Sequence, residues 1–221
     1  MQRTSLGMTR FDTDSVQVIA DFVPKYYLHA DWPDHQHANL GNTMDPGKLK
    51  AQPAIKLYSG SPHANHDDPT YIITITDPDA PSHADPKWSE VCHFIATNMP
   101  APRPLPDRRM GPSYQATSSQ VGLIDIMPYK PPAPPPKTGK HRYVFLVFTP
   151  ANGTTDALYL SKPSGRKHWG RKHAGHGVRE WALQNGLVPV GELQHTLIAL
   201  GSFIFDLTTA ANFIFAENEQ Q

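Results

Sequence analysis

The chain has 221 residues, and its 20 Lys and Arg against 20 Asp and Glu give a net charge of +0 at pH 7. Such balance supplies no long-range field for nucleic acid or an acidic membrane. No stretch approaches about 20 uninterrupted apolar residues, so no membrane-spanning helix is expected. The 23 prolines limit regular helix, because proline interrupts helix interiors and central strands alike.

The first residues carry positive charge without a long apolar core behind it, so no signal peptide is predicted. Cys92 is the sole cysteine; it excludes an internal disulfide and points to a reducing, cytoplasmic setting. The spacing predicts a short helix over Thr13–Phe22, capped by Thr13 or Asp14, with Val16, Ile19, Ala20 and Val23 on one side and Pro24 as its stop. Asp45-Pro46-Gly47 carries turn chemistry, and a strand should then end at Tyr58. Residues 60–69 read as a loop. Tyr71–Thr76 is rich in β-branched residues and predicts a strand, as does Val91–Asn98. Residues 99–112 are too proline-rich for regular structure, and Val121–Met127 predicts another strand. Residues 129–140, "YKPPAPPPKTGK", form a stiff polyproline-like connector. "HRYVFLVFTP" (141–150) is apolar on both faces and therefore central. "VREWALQNG" (178–186) predicts a helix with Gly186 just past its end. Trp88, Trp181, Phe145 and Phe148 are expected in the core. Strands separated by irregular segments point to one mainly β domain, antiparallel or mixed, over 1–221.

The strand at Tyr71 runs into Asp77-Pro78-Asp79-Ala80-Pro81. Flanking prolines stiffen the backbone and would hold both carboxylates in fixed directions, as a binding site needs. The same pentapeptide also suits an Asx-type turn in which the aspartates accept backbone N–H groups. His93 and His141 each stand near the start of a strand beside a proline-stiffened loop, which suggests one shared pocket. Two His and two Asp could hold a divalent ion. However, aspartates two apart in a proline-rich turn need not converge, so neither metal nor cofactor is expected. Cys92 adjoins His93, and neighbours on a strand face opposite ways, which argues against a Cys–His nucleophile pair.

"TDPDAPSHADPKWSEVCHF" (76–94) and "PPAPPPKTGKHRYVFLVF" (131–148) resemble the phosphatidylethanolamine-binding protein family, with weaker similarity from about Asp12 to Asn218. The resemblance implies a large antiparallel β sandwich with a Greek-key element and short peripheral helices. It also implies a small anion pocket built from Asp77, Pro81, His93, His141 and Tyr143. Pro135 would sit on its rim, and Asp79 and Arg142 would support it. The family often has an aromatic residue and a second histidine just before the His93 position; here Val91 and Cys92 stand there. In such a pocket two histidines could offer N–H donors to phosphate or carboxylate, Tyr143 an O–H, and Asp77 a charge that orients one imidazole.

"HADPKWSEVCH", "LGNTM" and "HWGRKHAGHGVREWALQNGL" look like the fungal branch of this family that inhibits a serine carboxypeptidase. That branch implies two partners, the protease and an anionic phospholipid head group; the wider family adds a kinase. Fungal relatives that assist dimerising cyclisation of anhydride monomers in maleidride biosynthesis give the alternative, with His93, His141 and Asp77 as acid or base. The basic stretch Ser164–Gly177 reads either as a solvated loop or as a peripheral membrane contact, with Trp169 inserted or packed.

Near the C-terminus, "GLVPV" (186–190) is followed by 19 residues, Gly191–Thr209, before "AANFIFAENE". Removing them leaves a family-like ending. Their coding length suits a short retained intron, and their residues can be encoded with its splice signals. A true insertion would instead form an extra helix with Leu197, Ile198, Leu200, Ile204 and Phe205 on one face. Exposed, it would be an aggregation liability or a partner surface.

Overall fold

The computed structural model describes residues 22–24, 26–59, 71–104, 114–120, 122–154, 156, 158–173, 177–189, 191–193 and 211–218. Their strands are β1 (Phe22–Pro24), β2 (Tyr27–Trp32), β3 (Gln36–His37), β4 (Asn42–Met44), β5 (Ala54–Ser59), β6 (Tyr71–Asp77) and β7 (Val91–Met99). They continue with β8 (Arg103–Pro104), β9 (Tyr114–Thr117), β10 (Ile124–Met127), β11 (His141–Pro150), β12 (Leu187–Pro189), β13 (Gly191–Leu193) and β14 (Ala211–Ala216). One α-helix, α1 (Val178–Gln184), appears among the described residues.

Two sheets face each other. One runs β3-β2-β5-β9-β8; the other runs β10-β7-β6-β11-β14-β4, with β12 also paired to β11. Every pairing is antiparallel except β14 with β4, so the larger sheet is mixed, one of the two forms the strand pattern allows. β2 shows why a sandwich forms: Leu28, Ala30 and Trp32 are buried while Tyr27 and His29 face water, the alternation of a strand with one wet side. β6 and β11 differ. All seven residues of β6 are buried, and in β11 only Thr149 is partly exposed.

Both faces of these central strands are covered. On the inner face Ile73, Ile75, Phe94, Phe145 and Val147 meet Leu28, Trp32, Ile55 and Leu57 of the smaller sheet. On the outer face Ile72, Cys92, Val144, Leu146 and Phe148 meet Trp169, Val178 and Trp181. The helix and the loop before it therefore act as a third layer. Gly186 ends α1 at φ +65°, a conformation that favours glycine. Trp88 departs from the expected core: it is half-buried, with the Lys167 ammonium 3.6 Å from its ring centroid. A cation over a ring face keeps one side of the indole near water.

The expected helix over Thr13–Phe22 lies outside the described residues except for Phe22, which opens β1. The strand expected from Val121 begins at Ile124. Most of the long segment after Val190 also lies outside, yet its two ends are informative. β12 and β14 pair with the same edge of β11, opposite β6. Phe148 faces Pro189, and Leu146 faces Ala211. Two steps along β11 thus match a jump from 189 to 211, where an unbroken antiparallel partner would advance by two. With Gly191–Thr209 removed, Ala211 would follow Pro189 by three, the count of a one-residue β-bulge. β12 and β14 thus follow one another along the same edge of β11.

Deleting Gly191–Thr209 is expected to leave a folded protein with a continuous strand against β11. The check is thermal unfolding followed by circular dichroism. A cooperative transition within about 4 °C of the full chain is expected, as for a change of about 1 kcal/mol; a variant without cooperative unfolding would show that the segment is integral.

Candidate functional site

The ends of β6 and β11 and a kink in β7 bring the polar residues together. Asp77 is the last residue of β6, and His141 is the first of β11. His141 and Tyr143 share the inner face with Phe145, as the period of two requires. His93 reaches that face by a bulge. Ile75 pairs with Phe94, but the next residue, Thr76, pairs with Cys92, so β7 carries one extra residue there. Bulges re-aim side chains. Cys92 joins the outer core while His93 turns its ring edge-on to Tyr143, with centroids 5.0 Å apart. Asp77, Asp79, His93, His141, Arg142 and Tyr143 are all buried.

The two aspartates part company, each taking a partner from the start of β11. Asp77 Oδ2 lies 2.9 Å from His141 Nδ1, and its Oδ1 accepts the Asp79 backbone N–H at 2.8 Å. Asp79 accepts from Arg142 three times: from the backbone N–H at 2.7 Å, from Nε at 2.9 Å and from Nη2 at 2.7 Å. The Asx turn and the fixed carboxylates are therefore both present. Burial pushes the Asp79 carboxyl up, but the Arg142 side chain, its charge and its backbone N–H outweigh this and hold it below the ordinary value.

Each imidazole is set by its neighbours. His93 Nδ1 is 2.8 Å from the carbonyl of Lys130. A carbonyl only accepts, so this nitrogen carries the proton. Burial lowers the His93 pKa to about 4, against the pull of Asp77. His93 is thus neutral near pH 7 with its N–H spent on the backbone, which corrects the expectation that both histidines offer donors to an anion. His141 Nε2 lies 3.0 Å from Thr138 Oγ1, whose own hydrogen goes to the Pro135 carbonyl at 2.7 Å. Burial, with Asp77 close by, holds the Tyr143 phenol well above its ordinary pKa, so it remains an O–H donor. Burial likewise pushes the Cys92 thiol up to about 12, which leaves no thiolate for nucleophilic chemistry.

The predicted residues Asp77, His93, His141 and Tyr143 converge, with Asp79 and Arg142 bracing them. Pro135 lies in the connector that covers His141, where its carbonyl takes the Thr138 hydroxyl. Pro81 follows Asp79 in the turn and is half-buried. Thr138 and the Lys130 carbonyl were missed from the sequence. A hydroxyl three residues before a histidine is a weak signal, and a carbonyl is no signal at all.

The basic stretch is largely structural. Arg166 donates to the carbonyls of Cys92, His93 and Pro128, the first two at 3.1 Å and the last at 2.8 Å. Trp169 is buried and donates from Nε1 to Thr76 Oγ1 at 3.0 Å; Thr76 passes its own hydrogen to Glu90 Oε2 at 2.8 Å. Of the two readings for Trp169, packing is the one observed. A hollow of about 270 Å³ opens on this outer side, floored by Trp169 and Trp181 and edged by Lys162, Arg171 and Glu180. None of the converging residues lines it. Glu90 lies beneath, and a methyl group at Gly177 would overlap its carboxylate. Burial raises the Glu90 pKa from 4.5 to about 7.

The structure is a β sandwich that gathers an acid, two imidazoles and a phenol at one end of its larger sheet. Residues 33–188 match the family model of phosphatidylethanolamine-binding proteins, and the chain belongs to that family. Carboxypeptidase Y inhibitor of Saccharomyces cerevisiae is 30% identical over 178 residues, covering 75% of this chain and 81% of that protein. An uncharacterized protein of the same yeast is 32% identical over 164 residues, covering 74% and 77%. Among solved structures, carboxypeptidase Y inhibitor complexed with its cognate proteinase matches with a TM-score of 0.68 and 27% identity, over 89% of this chain and 85% of that one. A phosphatidylethanolamine-binding protein from Plasmodium vivax shares the fold, with a TM-score of 0.59 and 16% identity over 90% and 88% of the two chains.

Two stability predictions come from these buried acids. The folded chain keeps a proton on Glu90 that the unfolded chain releases between its ordinary 4.5 and about 7. Stability therefore falls as pH rises through that window, by about 3 kcal/mol in all. Glu90→Gln should remove this slope and be the more stable protein at pH 8, as read from urea unfolding at pH 5 and pH 8; an unchanged slope contradicts the assignment. Asp79→Ala removes the carboxylate that accepts three hydrogen bonds from Arg142 and should cost about 3–5 kcal/mol in the same assay.

Proposed function

We propose that this protein binds a phosphate- or carboxylate-bearing ligand, such as a phospholipid head group, in the pocket at Asp77, His93, His141 and Tyr143. We propose further that it inhibits a serine carboxypeptidase. The convergence of those four side chains, from three separated segments, is the observation that carries the ligand half. His141 and Asp77 form a buried acid–base pair that structural burial alone does not call for, since hydrophobic residues of similar volume would fill the space at lower desolvation cost. The similarity to carboxypeptidase Y inhibitor, in sequence and in the fold of the inhibitor solved with its cognate proteinase, supports the inhibitory half.

Acid–base catalysis on an anhydride would use the same residues, but the proton inventory gives it no particular support. His93 has its N–H committed to the backbone, and His141 is held on both sides by Asp77 and Thr138.

His141→Ala should weaken binding of a phosphomonoester at least tenfold while the fold survives, measured by calorimetric titration with near-ultraviolet circular dichroism as the control for folding. Unchanged affinity in a folded variant removes the pocket from the proposal. The inhibitory half is read from peptide hydrolysis by yeast carboxypeptidase Y with rising amounts of the chain. Hydrolysis undiminished at a molar excess defeats it.

A further inference from the structure

The hydrogens of the pocket can be counted from its heavy atoms. Thr138 has one hydroxyl hydrogen, and the Pro135 carbonyl takes it. The Thr138 oxygen must then accept from His141, so His141 Nε2 bears a proton. On the other side of that ring a single proton lies between Nδ1 and Asp77 Oδ2. Wherever that proton rests, His141 and Asp77 together carry no net charge.

His93 adds none. Its Nδ1 proton is fixed on the Lys130 carbonyl, so the opposite nitrogen, Nε2, has only a lone pair. No hydrogen-bond partner for it appears among the described residues. The charged and titratable groups around His93 keep it this way. Asp77, on β6, favours a charged ring, whereas burial, Lys130 on the connector and Arg166 on the loop after β11 oppose it. His141 and Tyr143, on β11, complete the surroundings. The site thus presents one acceptor, His93 Nε2, and one donor, the Tyr143 O–H, on rings whose centroids lie 5.0 Å apart, beside a His141–Asp77 pair of no net charge. A fully deprotonated dianion would meet that lone pair with no hydrogen to give it.

We propose that this pocket selects an oxyacid that is singly charged and still holds one of its own protons, that proton being donated to His93 Nε2 while another oxygen accepts from Tyr143. The monoanion of a phosphomonoester has this pattern. The inference rests on the anion-binding reading above and narrows it. A sulfate ester has the same shape and charge but no proton to give, and a phosphodiester lacks one at phosphorus. A lipid meets this requirement only where its phosphate is a terminal monoester, and a free phosphorylated metabolite meets it in the same way.

The test compares methyl phosphate with methyl sulfate by calorimetric titration of the full chain from pH 5 to pH 8. Both are monoanions at pH 5, and methyl phosphate loses its second proton near about pH 6. Methyl phosphate should bind at least tenfold tighter than methyl sulfate at pH 5. Its affinity should then fall about tenfold per pH unit above that ionisation, while methyl sulfate stays weak and flat. His93→Gln, whose amide can turn an N–H toward the ligand, should bring the two ligands to within about threefold of each other at pH 5. Equal binding of both by the wild-type chain, or methyl phosphate affinity that rises with pH, overturns the inference. If both bind equally and His141→Ala abolishes both, the anion-binding reading stands and proton selection alone falls. If neither binds at any pH, both fall. Should His93→Gln lose its near-ultraviolet spectrum, the wild-type comparison decides by itself.

Discussion

Strands β6 and β11 are clamped at one end by two buried acid–base pairs, and the convergence of Asp77, His93, His141 and Tyr143 depends on that clamp. Asp77 takes His141, and Asp79 takes Arg142 through three hydrogen bonds. Neighbours on β11 point to opposite faces, so the two acids, two apart in a turn, must diverge to meet them. The proline-flanked turn supplies that divergence with little freedom left to the backbone. A buried charge without its partner is costly, whereas a bidentate pair with every carboxylate oxygen satisfied is tolerated. The turn is therefore rigid because of what its acids hold, and the acids are held because the turn is rigid.

The outer layer makes the second half of the frame. Trp169, Thr76 and Glu90 form one hydrogen-bonded relay from the loop before α1 into the central sheet. Thr76 directly precedes Asp77, so this relay fixes the outer side of the residue next to the pocket's acid. Arg166 does the same for β7 by gathering the carbonyls around the bulge at His93. A stretch whose charge suggests a surface contact is spent largely on bracing backbone. Arg171 and Lys172 remain exposed at its far end.

Much of this was legible in the sequence, for identifiable reasons. β6 and β11 announce themselves because strands buried on both faces read as unbroken apolar runs. The turn and its acids stand out because prolines flank them. What stayed hidden depends on register. The bulge that turns His93 inward follows from how β7 meets β6, and alternation counted along β7 alone would place His93 and Phe94 on opposite faces. The parallel pairing of β14 with β4 is equally invisible, since nothing local distinguishes the two directions. Trp88 was misplaced because a large aromatic is a good core candidate until a lysine lies over its face.

The donor count changed most between sequence and structure. Two histidines beside an aspartate suggest a cationic cradle with a phosphate as its natural guest. The structure assigns the hydrogens differently: the Lys130 carbonyl takes the proton of His93, and Thr138 takes one from His141. Both partners belong to the proline-rich connector between β10 and β11. That connector is stiff because proline fixes its backbone, so it can hold a carbonyl and a hydroxyl at set positions without regular structure. It therefore determines which protons His93 and His141 are left to offer and which lone pairs they keep.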